Sequence, residues 1–322
     1  MLLLFTKYLV SNAANLLRRD AYNLCVSVPL WLNESVKRLR ISAISFLNTA
    51  PLMWDFEHGE RARDLAEQFE ISYTVPSLCA EALRKGEADI GIIPAIAFQS
   101  IPDLAIIPDV AIAANGAVRS ILLVSKVPFN QIKTVAVDTS SRTSVALLEI
   151  LFRRGWLSGR EQIPRFEPMQ PDLNAMLSAC DAGLLIGDPA LLVDRTKYHV
   201  ADLAECWKQH TDKPFVFAFW AVRKAALERR SDASRIATIF QESRNHGLAN
   251  VKSIAKEWSP RVGISERDVV SYLTQSISYS LSQEALAGLA RFFKLAQQLE
   301  LISTLREPEF LMETASLAKA RC

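Results

Sequence analysis

The feature that most constrains this chain is a strand–turn–helix unit that recurs along it, with a polar or proline-bearing turn at the end of each strand. Leu39–Phe46 is apolar and alternating, as a buried strand is. The turn Leu47-Asn48-Thr49-Ala50-Pro51 comes next, in which Asn48 or Thr49 can cap a helix and Pro51 sits in its first turn. Ile71–Val75 then runs into Pro76-Ser77 and a short helix ending near Lys85-Gly86, and Ala88–Ile93 runs into Pro94 and a further short helix. Strands followed by short turns and helices predict a parallel sheet with crossover helices.

Leu104–Ala114 and Val118–Ser125 read as longer strands separated by a turn at Asn115-Gly116. After Pro128 the alternation restarts: strand Thr134–Val137, helix Ser141–Arg154, strand Ile163–Phe166, helix Leu173–Ala179, strand Ala182–Ile186, and a helix from Gly187-Asp188-Pro189 to about Asp194. Phe215–Val222 is strand-like again, and Ser231 to Leu301 is helical by period, with Ser231, Ser265 and Ser282 as caps. At 322 residues the chain exceeds the roughly 250 at which single cores divide. An α/β protein of two lobes is expected, with residues 37–125 and 215–322 forming a discontinuous first lobe and 126–214 the second. Residues 1–36 share no period with the rest of the chain and are expected to be a poorly ordered extension, and deletion of Met1–Ser35 is expected to leave folding and activity intact. Crossing strands leave a cleft between the lobes, where open α/β sheets bind small ligands.

Composition removes other classes. Basic and acidic side chains number 37 and 35, a net +2, which gives no field to steer nucleic acid. Cys25, Cys79, Cys180, Cys206 and Cys322 are scattered without C-x-x-C spacing, so free thiols in a reducing compartment are expected, not a disulfide framework or zinc site. Met1–Val10 is apolar but holds Lys7 and is too short to span a bilayer, so no membrane partner and a cytoplasmic location are expected. There is no G-x-G-x-x-G, Walker loop, G-x-S-x-G elbow or H-E-x-x-H pair, and His58, His199, His210 and His246 stand apart. No cofactor and no metal are expected.

What remains is a set of small polar residues at strand-to-helix turns: Ser45, Asn48 and Thr49, then Ser77, then Thr139-Ser140-Ser141-Arg142-Thr143-Ser144. Helix N-termini offer free N–H groups and a positive dipole end, which suit carboxylates. One cap needs one hydroxyl, and the 139–144 run supplies several beside an arginine. Asp188, before a proline, is read as a cap that would repel an anionic ligand. Phe215, Phe217 and Phe219 are read as core, with Trp220 able to line the cleft.

The stretches Ile44–Leu52 (ISFLNTAPL), Pro76–Pro94, Val118–Ser125 (VRSILLVS), Val135–Phe152, Ala182–Leu192 (AGLLIGDPALL) and Asp202–Arg223, in this order, resemble the chorismate dehydratase family (MqnA/MqnD) of the futalosine route to menaquinone. The resemblance spans about Lys37 to Leu301. It implies a type II periplasmic-binding-protein-like fold and a cofactor-free lyase reaction, the dehydration of chorismate to 3-[(1-carboxyvinyl)oxy]benzoate. By similarity Asn48, in the S-x-L-N-T element, is the catalytic candidate, steadying the departing hydroxyl or placing the substrate's own side-chain carboxylate to take the proton. Ser45, Thr49, Ser77, Ser120, Ser141, Arg142, Thr143 and Ser144 are the expected substrate-binding residues. The chain departs from the pattern at Ala97-Phe98, near which relatives carry a glutamate, and residues 1–36 lie outside the pattern. Two alternatives are the sister enzyme making 1,4-dihydroxy-6-naphthoate, whose second-lobe histidine has no counterpart at Leu185-Ile186-Gly187-Asp188, and a non-catalytic solute-binding protein, which would require export.

Overall fold

Short, continuously apolar runs are what a sheet covered on both faces requires, and Ile90–Pro94, Ile121–Ser125 and Ala182–Ile186 are buried at every position. A computed structural model describes residues 38–138, 140–161, 163–227 and 233–311. The extension 1–36, Thr139 and the Ser231 cap lie outside the described residues. From Arg38 the chain forms one compact unit built on two five-stranded sheets. The strands are β1 (Leu39–Ile44), β2 (Phe69–Thr74), β3 (Ile90–Pro94), β4 (Leu104–Ala114), β5 (Ile121–Ser125), β6 (Thr134–Asp138), β7 (Arg165–Met169), β8 (Ala182–Ile186), β9 (His199–Asp202) and β10 (Phe215–Arg223).

The first sheet has the order β2-β1-β3-β10-β4 and the second β7-β6-β8-β5-β9. Each places parallel strands on one side, β1 with β2 and β3, β6 with β7 and β8, and continues through an antiparallel strand, β10 or β5, to an edge strand, β4 or β9. The two sheets therefore share one topology, although the sequence carries no visible repeat. They also exchange strands: β5, reached directly from β4, enters the second sheet, and β10 returns from it to fill the first.

Two expectations are corrected by this pairing. Val118–Ser125 is expected in the first lobe, but β5 pairs with β8 and β9 of the second sheet. Asn115-Gly116 is accordingly a crossover between sheets, not a hairpin turn, with Gly116 at φ 132°.

The core joins both sheets. Trp207, Phe215 and Phe292 pack edge to face, and Trp220 stands against Phe240, fully buried and not facing the cleft. Ser265 and Ser282 cap their helices by accepting from Asp268 N–H and Ala285 N–H. Helix Ala233–Ala249 packs on the turn Leu47–Met53 so closely that a Cβ at Gly247 would collide with the Pro51 backbone.

Candidate functional site

The site grows from the end of β1. The chain leaves β1 at Phe46 and tightens into a 3₁₀ turn over Leu47–Met53, around Pro51. Thr49 fixes this turn: its hydroxyl lies 2.6 Å from the carbonyls of both Ile44 and Phe46, and its N–H donates to Phe46 O. Buried Ser243 holds the far end, donating to Leu52 O and accepting from Asp55 N–H. Clamped at both ends, the turn presents Asn48 to the gap between the lobes.

The opposite wall comes from the second lobe. Ser141 precedes helix Arg142–Arg153 but makes no side-chain cap; its hydroxyl donates instead to Ser144 Oγ at 2.7 Å. Ser120 sits before β5 on a loop held by Asp202, whose carboxylate accepts from Val118 N–H and Arg119 N–H and also caps helix Leu203–Thr211. Arg119 takes a left-handed conformation there, at φ 66°, a strained state for an arginine that its surroundings must hold. Gly187 N–H donates to Ser120 O. Gly187 is itself at φ 66° and packs against the Phe46 ring of the first lobe, which would lie 3.0 Å from any Cβ added there.

Direct hydrogen bonds hold the lobes together across this gap. Leu47 N–H donates to the Asp188 carboxylate at 3.0 Å, Ile96 N–H to Thr143 Oγ1 at 3.2 Å, and Ser77 N–H to Ser140 O at 2.9 Å. Between them remains a cavity of about 40 Å³ lined by Phe46, Asn48, Ser141, Ser144, Gly187 and Phe217 among others. That is room for about one water. Any molecule much larger than a water exceeds this space as it stands.

Of the buried unsatisfied polar groups, one belongs to Asn48, which lines this cavity, and two more lie beside Asn48. Asn48 Oδ1, Ser120 Oγ and Tyr272 OH are buried without a hydrogen-bond partner. Leaving such a group unpaired costs about 1–3 kcal/mol, so a cluster of them calls for a partner that the surrounding side chains do not supply. They adjoin one another: the Tyr272 phenol feels Ser120, Asn48, Asp188 and Arg119, although no pair reaches hydrogen-bond geometry. Burial, reinforced by the Asp188 charge, raises the phenol well above its ordinary range and keeps it protonated. Burial also pushes Asp188 up to about 6, against the Leu47 N–H bond that favours its charge.

Of the expected catalytic and binding residues, the structure lines this gap with Asn48, Ser141 and Ser144, sets Ser120 next to Ile121 of its wall, and takes others away. Thr49 spends its hydroxyl on carbonyls within its own turn. Ser45 is exposed and opens onto a separate depression with Thr49, Glu57, Tyr73 and Arg261. Ser77 contributes its backbone N–H, and Thr143 is occupied by Ile96. Arg142 points into a groove of about 640 Å³ with Gln99, Glu149 and Leu301; this groove is larger, but its polar residues include no buried unpaired atom. Asp188 does not cap its own helix, because Gly187 holds that position and the carboxylate reaches across to Leu47. Tyr272 escapes a reading of the sequence, since an aromatic within a helical stretch reads as core.

The histidines lie elsewhere: His58 on Glu257, His246 on Asp55, His210 stacked on Trp156, and His199 against Phe129. Among the described residues no group of three or more His, Cys, Asp or Glu is disposed to hold a metal, and no helix is long and apolar enough to cross a membrane. Cys79, Cys180 and Cys206 are free thiols.

Two sheets of one topology that exchange strands, with a small cavity between them, define a two-lobed, periplasmic-binding-protein-like α/β fold. Solved structures agree. A protein from Archaeoglobus fulgidus matches with a TM-score of 0.64 at 16% identity, over 82% of this chain and 98% of its own. The periplasmic aliphatic sulphonate binding protein SsuA of Escherichia coli matches at 0.58 and 17%, over 85% and 94%. At these identities the likeness concerns the fold alone.

A family model described as menaquinone biosynthesis matches residues 39–298. A chorismate dehydratase of Thermus thermophilus is 30% identical over 244 residues, 70% of this chain and 86% of that protein. The chain belongs to this menaquinone-biosynthesis family of chorismate dehydratase-like proteins.

Proposed function

We propose that this protein is a cytoplasmic lyase that removes water from chorismate to give 3-[(1-carboxyvinyl)oxy]benzoate, on the futalosine route to menaquinone, without a cofactor. The observation that carries the reading is the unpaired Asn48 at the interlobe cavity, with the unpaired Ser120 and Tyr272 beside it, in a chain similar to a chorismate dehydratase.

Chorismate offers a dihydro ring, a ring hydroxyl and two carboxylates. Loss of the hydroxyl with the neighbouring ring proton makes the ring aromatic, so the reaction is downhill. It needs orientation and help for the leaving oxygen more than a strong base. In our reading the paired hydroxyls of Ser141 and Ser144 hold one carboxylate, and Arg119, whose charge reaches Tyr272, supplies a cation. Asn48 faces the reacting ring and steadies the departing hydroxyl. The substrate's side-chain carboxylate takes the ring proton, and that proton leaves with the hydroxide as water. Closure of the lobes through Leu47–Asp188, Ile96–Thr143 and Ser77–Ser140 excludes solvent from these contacts, where hydrogen bonds are stronger.

Incubating the purified protein with chorismate and following the mixture by mass spectrometry tests this. A product lighter than chorismate by one water is expected, and unchanged chorismate would overturn the assignment. Cell fractionation checks the location.

A further inference from the structure

Tyr272 is fully buried, yet its hydroxyl has no partner. It opens a π-helical turn, Tyr272–Ser276, that interrupts regular winding after helix Glu266–Ser271. Such one-residue insertions shift the side chains around them and gather at functional sites. Here the ring's outer end adjoins Ser120 of the second lobe, just before β5, and Asn48 of the first lobe's turn. Tyr279, also buried with an unpartnered hydroxyl, lies close enough for its phenol to feel that of Tyr272. A phenylalanine would fill the Tyr272 volume without burying an unsatisfied group, so packing gives no reason for the hydroxyl.

We propose that Tyr272 is a positioning residue for Asn48: its hydroxyl holds one end of the Asn48 amide when the lobes close on a ligand, leaving the other end to face the substrate. The inference rests on the dehydratase reading. The chemistry suits the task. A phenol both donates and accepts, so it can engage either the oxygen or the N–H of an amide. It remains neutral beside Asp188 and so puts no charge next to an anionic ligand. Ser120 adjoins the same hydroxyl.

The test is a double-mutant cycle of Tyr272→Phe with Asn48→Ala, read as chorismate turnover and melting temperature. Tyr272→Phe alone is expected to lower kcat about 10- to 100-fold with KM changed less than about 3-fold, the pattern of a lost interaction that matters in the transition state. Its melting temperature should be equal to or above the parent's. In the Asn48→Ala background the same change should cost less than about 2-fold, because the amide it serves is gone. Equal losses in both backgrounds, no loss in either, or an effect confined to melting temperature would overturn the proposal while leaving the dehydratase reading intact. Should Tyr272→Phe fail to fold, packing does require the hydroxyl. Ser120→Ala then decides: a loss of kcat of about 3-fold or more that disappears with Asn48→Ala supports the arrangement, and an equal loss in both backgrounds refutes it. If the unmodified protein forms no product, the dehydratase reading falls and the inference falls with it.

Discussion

Replacing Asp188 with Asn should stabilise the protein at neutral pH and lose that advantage in acid. The carboxylate lies mostly buried between the lobes, accepting from Leu47 N–H, and burial raises its pKa from 3.8 to about 6. The folded chain therefore binds an extra proton between about pH 4 and pH 6 relative to the unfolded chain. The stability this group contributes is fully present below about pH 4 and is lost as the pH rises through about 6. A difference of about two units corresponds to roughly 3 kcal/mol. Asparagine keeps an oxygen for the Leu47 N–H without the charge. At about pH 7.5 Asp188→Asn should thus be more stable by up to about 3 kcal/mol, or about 5 °C in Tm for a chain of this size. Calorimetric scans of both proteins at steps from about pH 4 to about pH 7.5 read the effect, which should shrink steadily on acidification. A Tm difference independent of pH, or a mutant less stable at neutral pH, would refute the account of Asp188 as a buried, unfavourably ionised interlobe contact.

The other predictions concern the cavity and its support. Asn48→Ala and Asn48→Asp should each lower kcat by about two orders of magnitude with Tm little changed, since neither the 3₁₀ turn nor its cap uses that side chain; steady-state rates and melts decide it. Ser141→Ala with Ser144→Ala should weaken substrate binding by about 1–3 kcal/mol. Because Ser141 makes no side-chain cap, Tm should fall by less than a lost cap would cause, and calorimetry of binding and unfolding on the same protein separates the two roles. Gly247→Ala should cost about 1–3 kcal/mol through overpacking against Pro51 and lower turnover by displacing the Asn48 turn, which melts and rates together reveal.

Most strands are legible because burial on both faces demands short apolar runs, which β3, β5 and β8 display plainly. Sheet membership is not, because it depends on partners distant in sequence. Nothing local in Ile121–Ser125 tells that it pairs with Ala182–Ile186, and Asn115-Gly116 has the residues of a hairpin turn while serving as a crossover. Asn48 and the Ser141–Ser144 pair can be read from polar residues gathered at strand-to-helix turns. Thr49 cannot be separated from them, since only the folded turn brings the Ile44 and Phe46 carbonyls onto its hydroxyl. Asp188 misleads because an acid before proline is a sufficient helix start on its own, and its contact with Leu47 spans the two lobes. Tyr272 carries no signal at all: what distinguishes it from a core aromatic is a hydroxyl left unpaired, a property of three dimensions.

The central claim is that the small cavity between Asn48 and the Ser141–Ser144 pair, not the larger groove at Arg142, is where the reaction occurs. A crystal structure with the aromatic product, 3-[(1-carboxyvinyl)oxy]benzoate, tests this most directly. The ring is expected between the lobes, with a carboxylate on the Ser141 and Ser144 hydroxyls and the Asn48 amide against the former site of the hydroxyl. A product molecule bound instead among Gln99, Arg142 and Glu149, with the interlobe cavity unchanged, would contradict it.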